Sequence, residues 1–218
     1  MSIDASITTR KISGLYAISN HDVLPREKLM ADTLALLKGG ADIFQFRDKQ
    51  SALPEKHARA LALKNLCAQY QCVFIINDDI DLALSVNADG VHIGQQDCSL
   101  PEARKRLGST KIIGQSCHNS LALAERATQQ GADYLAVGRF FPSKTKASAS
   151  QANIAIIGQV KQYCQLPVVA IGGITLDNAA ALIEAGADAL AVIDDLLSQD
   201  NIEGHAREYR NLFKRLCK

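Results

Sequence analysis

Apolar residues fall along this chain in two alternating rhythms. Compact apolar runs read as buried strands: "GLYAIS" (14–19), the runs inside "GGADIFQFRD" (39–48) and "CVFIIND" (72–78), then "VNADGVHIGQ" (86–95), "KIIGQS" (111–116), "QGADYLAVGR" (130–139), "PVVAIGG" (167–173) and "AGADALAVID" (185–194). Between them apolar positions recur at helical spacing: residues 26–40, 53–70, 99–108, 120–131, 153–164, 175–186 and 203–217, with Asp79 and Asp81 opening one more. Glycines close several of these stretches, and Ser99 and Thr175 stand where helix caps belong. Four of the eight strands share one plan, a helix-ending Gly or Asn, then Ala-Asp, then the apolar run.

Strand–helix alternation implies parallel strands joined by helical crossovers. Eight such units in about 200 residues predict an α/β fold, a closed (β/α)8 TIM barrel. The alternative is an open doubly wound sheet, but no G-x-G-x-x-G follows the first strand and no domain break interrupts the pattern. The expected organisation is an N-terminal arm over 1–13 and one catalytic barrel over 14–218. At 218 residues with 47% apolar content, the chain buries a large core without staples. A net charge of +1 offers no overall field for nucleic acid or an anionic membrane, so any attraction for phosphate must be local. The six cysteines form no C-x-x-C pair and read as reduced thiols of a cytoplasmic protein. No apolar run approaches the roughly 20 residues of a membrane span. Oligomeric state is not legible, which leaves a homo-oligomer open.

In such barrels the chemistry belongs at the carboxyl ends of the strands. After the second strand, Gln45, Arg47 and Lys49 alternate with Phe46 and Asp48, so the amide and two cations share one face and suit phosphate. After the third come Asn77, Asp78 and Asp79; one acid suffices as a cap, so Asp79 takes that role and Asp78 is spare. Asp97 follows the fourth strand. Neighbouring strands lie about 5 Å apart, so Asp78 and Asp97 can converge on a hard cation such as Mg²⁺. Ser116 can donate to an anion. Cys117 and His118 are adjacent in sequence, which is poor geometry for a nucleophile–base pair. The longest loop, 138–153, carries Ser143, Lys144, Thr145 and Lys146 and reads as a lid. Gly173, with Ile193 and Asp194 after the eighth strand, marks the usual phosphate site of a barrel.

In their order, "QFRDK", "INDD", "HIGQQD", "GQSCH", "GRFFPSKTK", "AIGGIT" and "AVID" resemble the thiamine-phosphate synthases from about residue 14 to residue 195. The resemblance implies a Mg²⁺-dependent transferase that couples hydroxymethylpyrimidine diphosphate to thiazole phosphate and releases pyrophosphate. It implies Asp78 and Asp97 as Mg²⁺ ligands. Gln45, Phe46, Arg47, Asp48, Lys49, Asn77, Ser116 and Lys146 would hold the pyrimidine diphosphate, with Arg47, Lys49, Lys146 and Ser116 as the catalytic set. Ser143, Lys144, Thr145, Gly173, Ile193 and Asp194 would line the thiazole-phosphate site. Small-molecule substrates are the expected partners, with neither nucleic acid nor membrane. Arg139 and Phe140 stand where that family often has a Pro-aliphatic pair, and Asp194 where it typically has Ser. Whether the Asp194 side chain turns away while its backbone N–H binds phosphate is open at this stage. The alternatives are a thiazole tautomerase-like barrel, a non-catalytic thiazole-phosphate binder and an unrelated sugar-phosphate isomerase.

Overall fold

A computed structural model describes residues 12–19, 27–142 and 151–217. Residues 1–11 of the expected arm, and 143–150 of the long loop, lie outside the described residues. The strands are β1 (Gly14–Ile18), β2 (Ile43–Phe46), β3 (Val73–Asn77), β4 (Gly90–Ile93), β5 (Ile112–His118), β6 (Tyr134–Gly138), β7 (Val168–Ile171) and β8 (Ala189–Val192). All neighbours pair in parallel and β8 closes onto β1. The helices are α1 (Leu29–Gly39), α2 (Leu53–Gln69), α3 (Ile80–Ser85), α4 (Leu100–Leu107), α5 (Leu121–Gln129), α6 (Ala155–Tyr163), α7 (Leu176–Glu184), α8 (Asp194–Leu197) and α9 (Ile202–Leu216). The single-domain (β/α)8 barrel is therefore as expected.

Two elements depart from the expectation. β5 runs on to His118 because a register shift between Ser116 and His118 keeps it paired with β6. The short helix α8 is a single turn, too brief for apolar periodicity to register. Among the described residues, no helix is long and apolar enough to cross a membrane.

Period-two alternation divides the strands between two apolar layers. Outward residues such as Phe44, Phe74, Val91, Leu135 and Leu190 pack against the helices. Inward residues such as Ile43, Ile75, Ala136, Val169 and Ala191 fill the barrel. The helix α9 buries Ala206, Tyr209, Leu212 and Phe213 on one stripe, and Asn201 caps it by accepting the Gly204 N–H.

The Ala-Asp repeat has a structural meaning. The Leu15 N–H donates to Asp42 Oδ2 at 2.9 Å, and the Asp42 N–H returns a bond to Leu15 O. The same reciprocal pair joins Phe74 to Asp89, Ile113 to Asp133 and Val168 to Asp188, with carboxylate distances of 2.8, 2.7 and 2.7 Å. Each even-numbered strand is thus preceded by an aspartate that satisfies an N–H near the start of the strand before it. Lys161 and Arg104 add ion pairs to Asp188 and Asp133.

Replacing Asp188 with Ala leaves the buried Val168 N–H without its charged acceptor. The expected cost is about 1–3 kcal/mol of unfolding free energy in urea, with the opposite, functional end of the barrel undisturbed.

Candidate active site

The acids after β3 divide their labour as the spacing suggested. Asp79 caps α3 by accepting the Leu82 N–H at 2.9 Å and also accepts from Lys56 Nζ at 2.8 Å. Burial opposes its charge, but those two donors win and hold the carboxyl below the usual range. Asp78 caps nothing. Its N–H pairs with His92 O at 2.8 Å, and its φ of 63° ends the strand in the left-handed region, which Asp tolerates better than most side chains.

Across the gap between β3 and β4, Asp97 lies within hydrogen-bonding reach of Asp78. Asp97 Oδ2 accepts the Gly94 N–H at 2.7 Å, and Lys49 Nζ stands 3.1 Å from Asp78 Oδ2. Burial first, then the facing Asp78 carboxylate, raise Asp97 above the ordinary carboxylate range; Gly94 and Lys49 pull the other way. Two carboxylates forced together store a repulsion that a cation between them relieves. Among the described residues no group of three or more His, Cys, Asp or Glu gathers around a metal position. The two carboxylates could hold a hard cation that takes its other ligands from water and phosphate oxygen.

The stretch after β2 splits by parity. Gln45 points into the barrel, whereas Phe46 is buried in the outer apolar layer. Asp48 has a fully buried side chain and binds its own loop, accepting from the Gln50 and Ser51 N–H groups at 3.1 and 3.0 Å and facing Arg59. That staple shapes the turn carrying Arg47 and Lys49. The Arg47 N–H donates to Ser19 Oγ at 2.9 Å, which ties the turn to the end of β1. Phe46 and Asp48 therefore shape the site from behind, while half-buried Arg47 and exposed Lys49 stand at the rim.

Below the rim a chain of buried polar side chains crosses the barrel. Gln45 Nε2 donates to Tyr16 Oη at 2.7 Å, and Tyr16 Oη lies 2.8 Å from Tyr134 Oη. Tyr134 Oη lies 3.0 Å from His92 Nδ1, and His92 Nε2 lies 2.9 Å from Ser116 Oγ. Burial raises both phenols well above the ordinary tyrosine range, so both remain neutral donors. Two proton orders satisfy every link: with Gln45 donating to Tyr16, the rest runs either from Tyr16 through Tyr134 to His92 Nδ1 and from His92 Nε2–H to Ser116, or the reverse, from Ser116 through His92 and Tyr134 to Tyr16. Gly114 makes room for it; a Cβ there would meet Tyr134 Cζ at 1.9 Å. Sequence reasoning found both ends of the chain and missed Tyr16, His92 and Tyr134. Their signal was a polar residue at an inward position, as at Gln45. Asn77 ends β3 in register with His92.

At the far side, the backbone at Gly173 has φ 65°, and a Cβ there would meet Pro142 O at 2.3 Å. The segment after β6 therefore lies directly on the turn after β7, where the Phe141 N–H donates to Gly172 O at 2.9 Å. Ile193 precedes α8 and Asp194 opens it with Oδ1 buried. Ser143, Lys144, Thr145 and Lys146 lie outside the described residues. Cys117 faces the outer layer, and burial, then the nearby Cys164, push its thiol up to about 12, while His118 is exposed. That pair is not an activated nucleophile.

Tyr16→Phe removes the central hydroxyl and leaves the Gln45 amide facing apolar ring. A loss of about 1–3 kcal/mol in denaturant unfolding is expected, with Gln45→Leu in the same background adding less than it does alone.

A family model described as thiamine monophosphate synthase matches residues 15–196. The thiamine-phosphate synthase of Alcanivorax borkumensis is 48% identical over 207 residues, covering 94% of this chain and 95% of that protein. That of Nitrosococcus oceani is 47% identical over 202 residues, covering 93% of each. Among solved structures, the thiamine phosphate pyrophosphorylase of Pyrococcus furiosus superposes with a TM-score of 0.88 at 31% identity, over 96% of this chain and 99% of that one. With the family model spanning nearly all of the barrel, and with relatives close to half identical along almost their full lengths, this chain belongs to the thiamine monophosphate synthase family.

Proposed function

We propose that the chain is a thiamine-phosphate synthase, coupling 4-amino-5-hydroxymethyl-2-methylpyrimidine diphosphate with 4-methyl-5-(2-phosphoethyl)thiazole to give thiamine phosphate and pyrophosphate. The observation that carries this reading is the placing of Asp78 and Asp97 beside Lys49 at the rim, an arrangement suited to a cation and a diphosphate. The names of its relatives point the same way.

The bond that breaks joins the pyrimidine methylene carbon to the diphosphate oxygen, which keeps the electron pair. The cation left behind is stabilised by the amino group of its own ring. The thiazole nitrogen then supplies the pair for the new carbon–nitrogen bond. This route needs no protein nucleophile, in keeping with the buried, protonated Cys117. Mg²⁺, held by Asp78 and Asp97, would neutralise charge on the departing diphosphate. Arg47 and Lys49 add to that clamp from the chain itself, and the family resemblance adds Lys146 and Ser116. The buried polar chain holds the Gln45 amide at fixed orientation below the rim, where a planar heterocycle can be read by its ring nitrogens. Gly173, Ile193 and Asp194, with Ser143, Lys144 and Thr145, are the proposed thiazole-phosphate side, orienting the nucleophilic nitrogen. The loop containing 143–150 is proposed as the cover that keeps water from the cation.

Mixing both substrates with Mg²⁺ is the direct test; thiamine phosphate and pyrophosphate should appear in equal amounts. Binding of the thiazole phosphate with no coupling would instead favour a non-catalytic binder. In an Asp78→Ala variant the Mg²⁺ concentration for half-maximal rate should rise by about tenfold or more. Wild-type activity at low metal would remove Asp78 from the metal site. Lys146→Ala should lower the coupling rate by about 10²-fold, and an unchanged rate would take it out of the leaving-group clamp.

A further inference from the structure

The turn that carries Asp97 is braced by a side chain facing away from the substrates. Gln115 lies on β5 between the inward Gly114 and Ser116, so its side chain enters the layer between sheet and helices, where it is 7% exposed. An amide in that layer must find partners. Gln115 Nε2 donates to Ile93 O at 3.1 Å and to Gly94 O at 3.2 Å, where β4 ends.

The first of these bonds reaches further than β4. Ile93 O and the Gly94 N–H belong to one peptide group, and that N–H donates to Asp97 Oδ2 at 2.7 Å. Gln115 therefore polarises, from the carbonyl side, the same peptide that holds the Asp97 carboxylate. Hydrogen bonds in series through one peptide polarise one another. A second tie acts on the same turn. Gln95 Nε2 donates to Ser116 O, and Gln95 Oε1 accepts from Arg126 Nη2 at 2.9 Å. Asp97 is exposed, and the Gly94 N–H is the backbone donor that fixes its carboxylate.

We propose that Gln115 is a positioning residue for the cation site, setting Asp97 against Asp78 through the Ile93–Gly94 peptide, with Gln95 and Arg126 as a second brace. This rests on the reading that Asp78 and Asp97 hold a divalent cation. The polar contacts of the three are with main-chain carbonyls and with one another.

The test is Mn²⁺ binding to the full-length protein without substrates, read from the electron paramagnetic resonance of free Mn²⁺, beside the thermal unfolding midpoint. Gln115→Leu should weaken Mn²⁺ binding by about tenfold, as loss of an outer partner does at other metal sites. Arg126→Met, on the exposed face of α5, should weaken it in the same direction with no change in midpoint. Asp97→Asn should abolish binding, and Gln115→Leu added to it should change nothing further. If Asp97→Asn abolishes binding while Gln115→Leu and Arg126→Met bind as the wild type does, the positioning role is overturned and the metal reading stands. A lowered midpoint with an unmoved Mn²⁺ constant would likewise reduce Gln115 to a structural residue. If Asp97→Asn binds Mn²⁺ normally, the metal reading itself falls. Should Gln115→Leu not fold, Arg126→Met alone decides the case.

Discussion

The barrel depends on four carboxylates at the end opposite its chemistry. In a closed parallel sheet each N–H near the start of a strand must find an acceptor. Asp42, Asp89, Asp133 and Asp188 each take such an N–H from the preceding strand and return their own to the same residue's carbonyl. This two-point contact sets the relative height of each strand pair. Since side chains alternate at every residue, a slip of one position would turn the inward face outward. Register at the bottom thereby decides which residues reach the top.

What reaches the top is a rim of charge over a floor of neutral hydrogen bonds. At the rim burial, and after it the facing Asp78 carboxylate, hold Asp97 above its ordinary range, with Gly94 and Lys49 pulling the other way. On the floor two phenols kept neutral by burial and one histidine join Gln45 to Ser116. The first arrangement answers to a cation and a diphosphate. The second presents orientation without charge, which suits an aromatic heterocycle. The proposed reaction needs both, a leaving group that sheds its charge and a ring held still while it does.

Much of this was legible in the residues. The eight strands, their parallel closure, and the separation of Asp78 from the capping Asp79 follow from spacing alone. The Ala-Asp repeat was visible as a repeat, but its purpose was not, because a carboxylate that accepts a backbone N–H across two strands leaves no local trace. Tyr16, His92 and Tyr134 were passed over because each lies within an apolar run and reads there as core. Only the parity they share with Gln45 marks them as lining the interior. Asp48 and Phe46 lie in the motif with Arg47 and Lys49, and sequence adjacency could not tell which side chains face the rim and which hold the turn from behind. Gln115 is the same case: a residue beside Ser116 in the chain and on the opposite side of the sheet.

The aspartate clamps join β1 to β2, β3 to β4, β5 to β6 and β7 to β8. At that layer the barrel is thus four staves of two strands each, and the seams between staves rest on main-chain pairing. The staves divide the work. The first carries Gln45, Arg47 and Lys49, the second Asp78 and Asp97, the third Ser116 and Tyr134, and the fourth Gly173 and Ile193. The polar chain from Gln45 to Ser116 stitches three of these staves together from within. Small relative movements of whole staves would change how Gln45, the Asp78–Asp97 pair, Ser116 and Gly173 face one another before they disturbed the groups within any one stave.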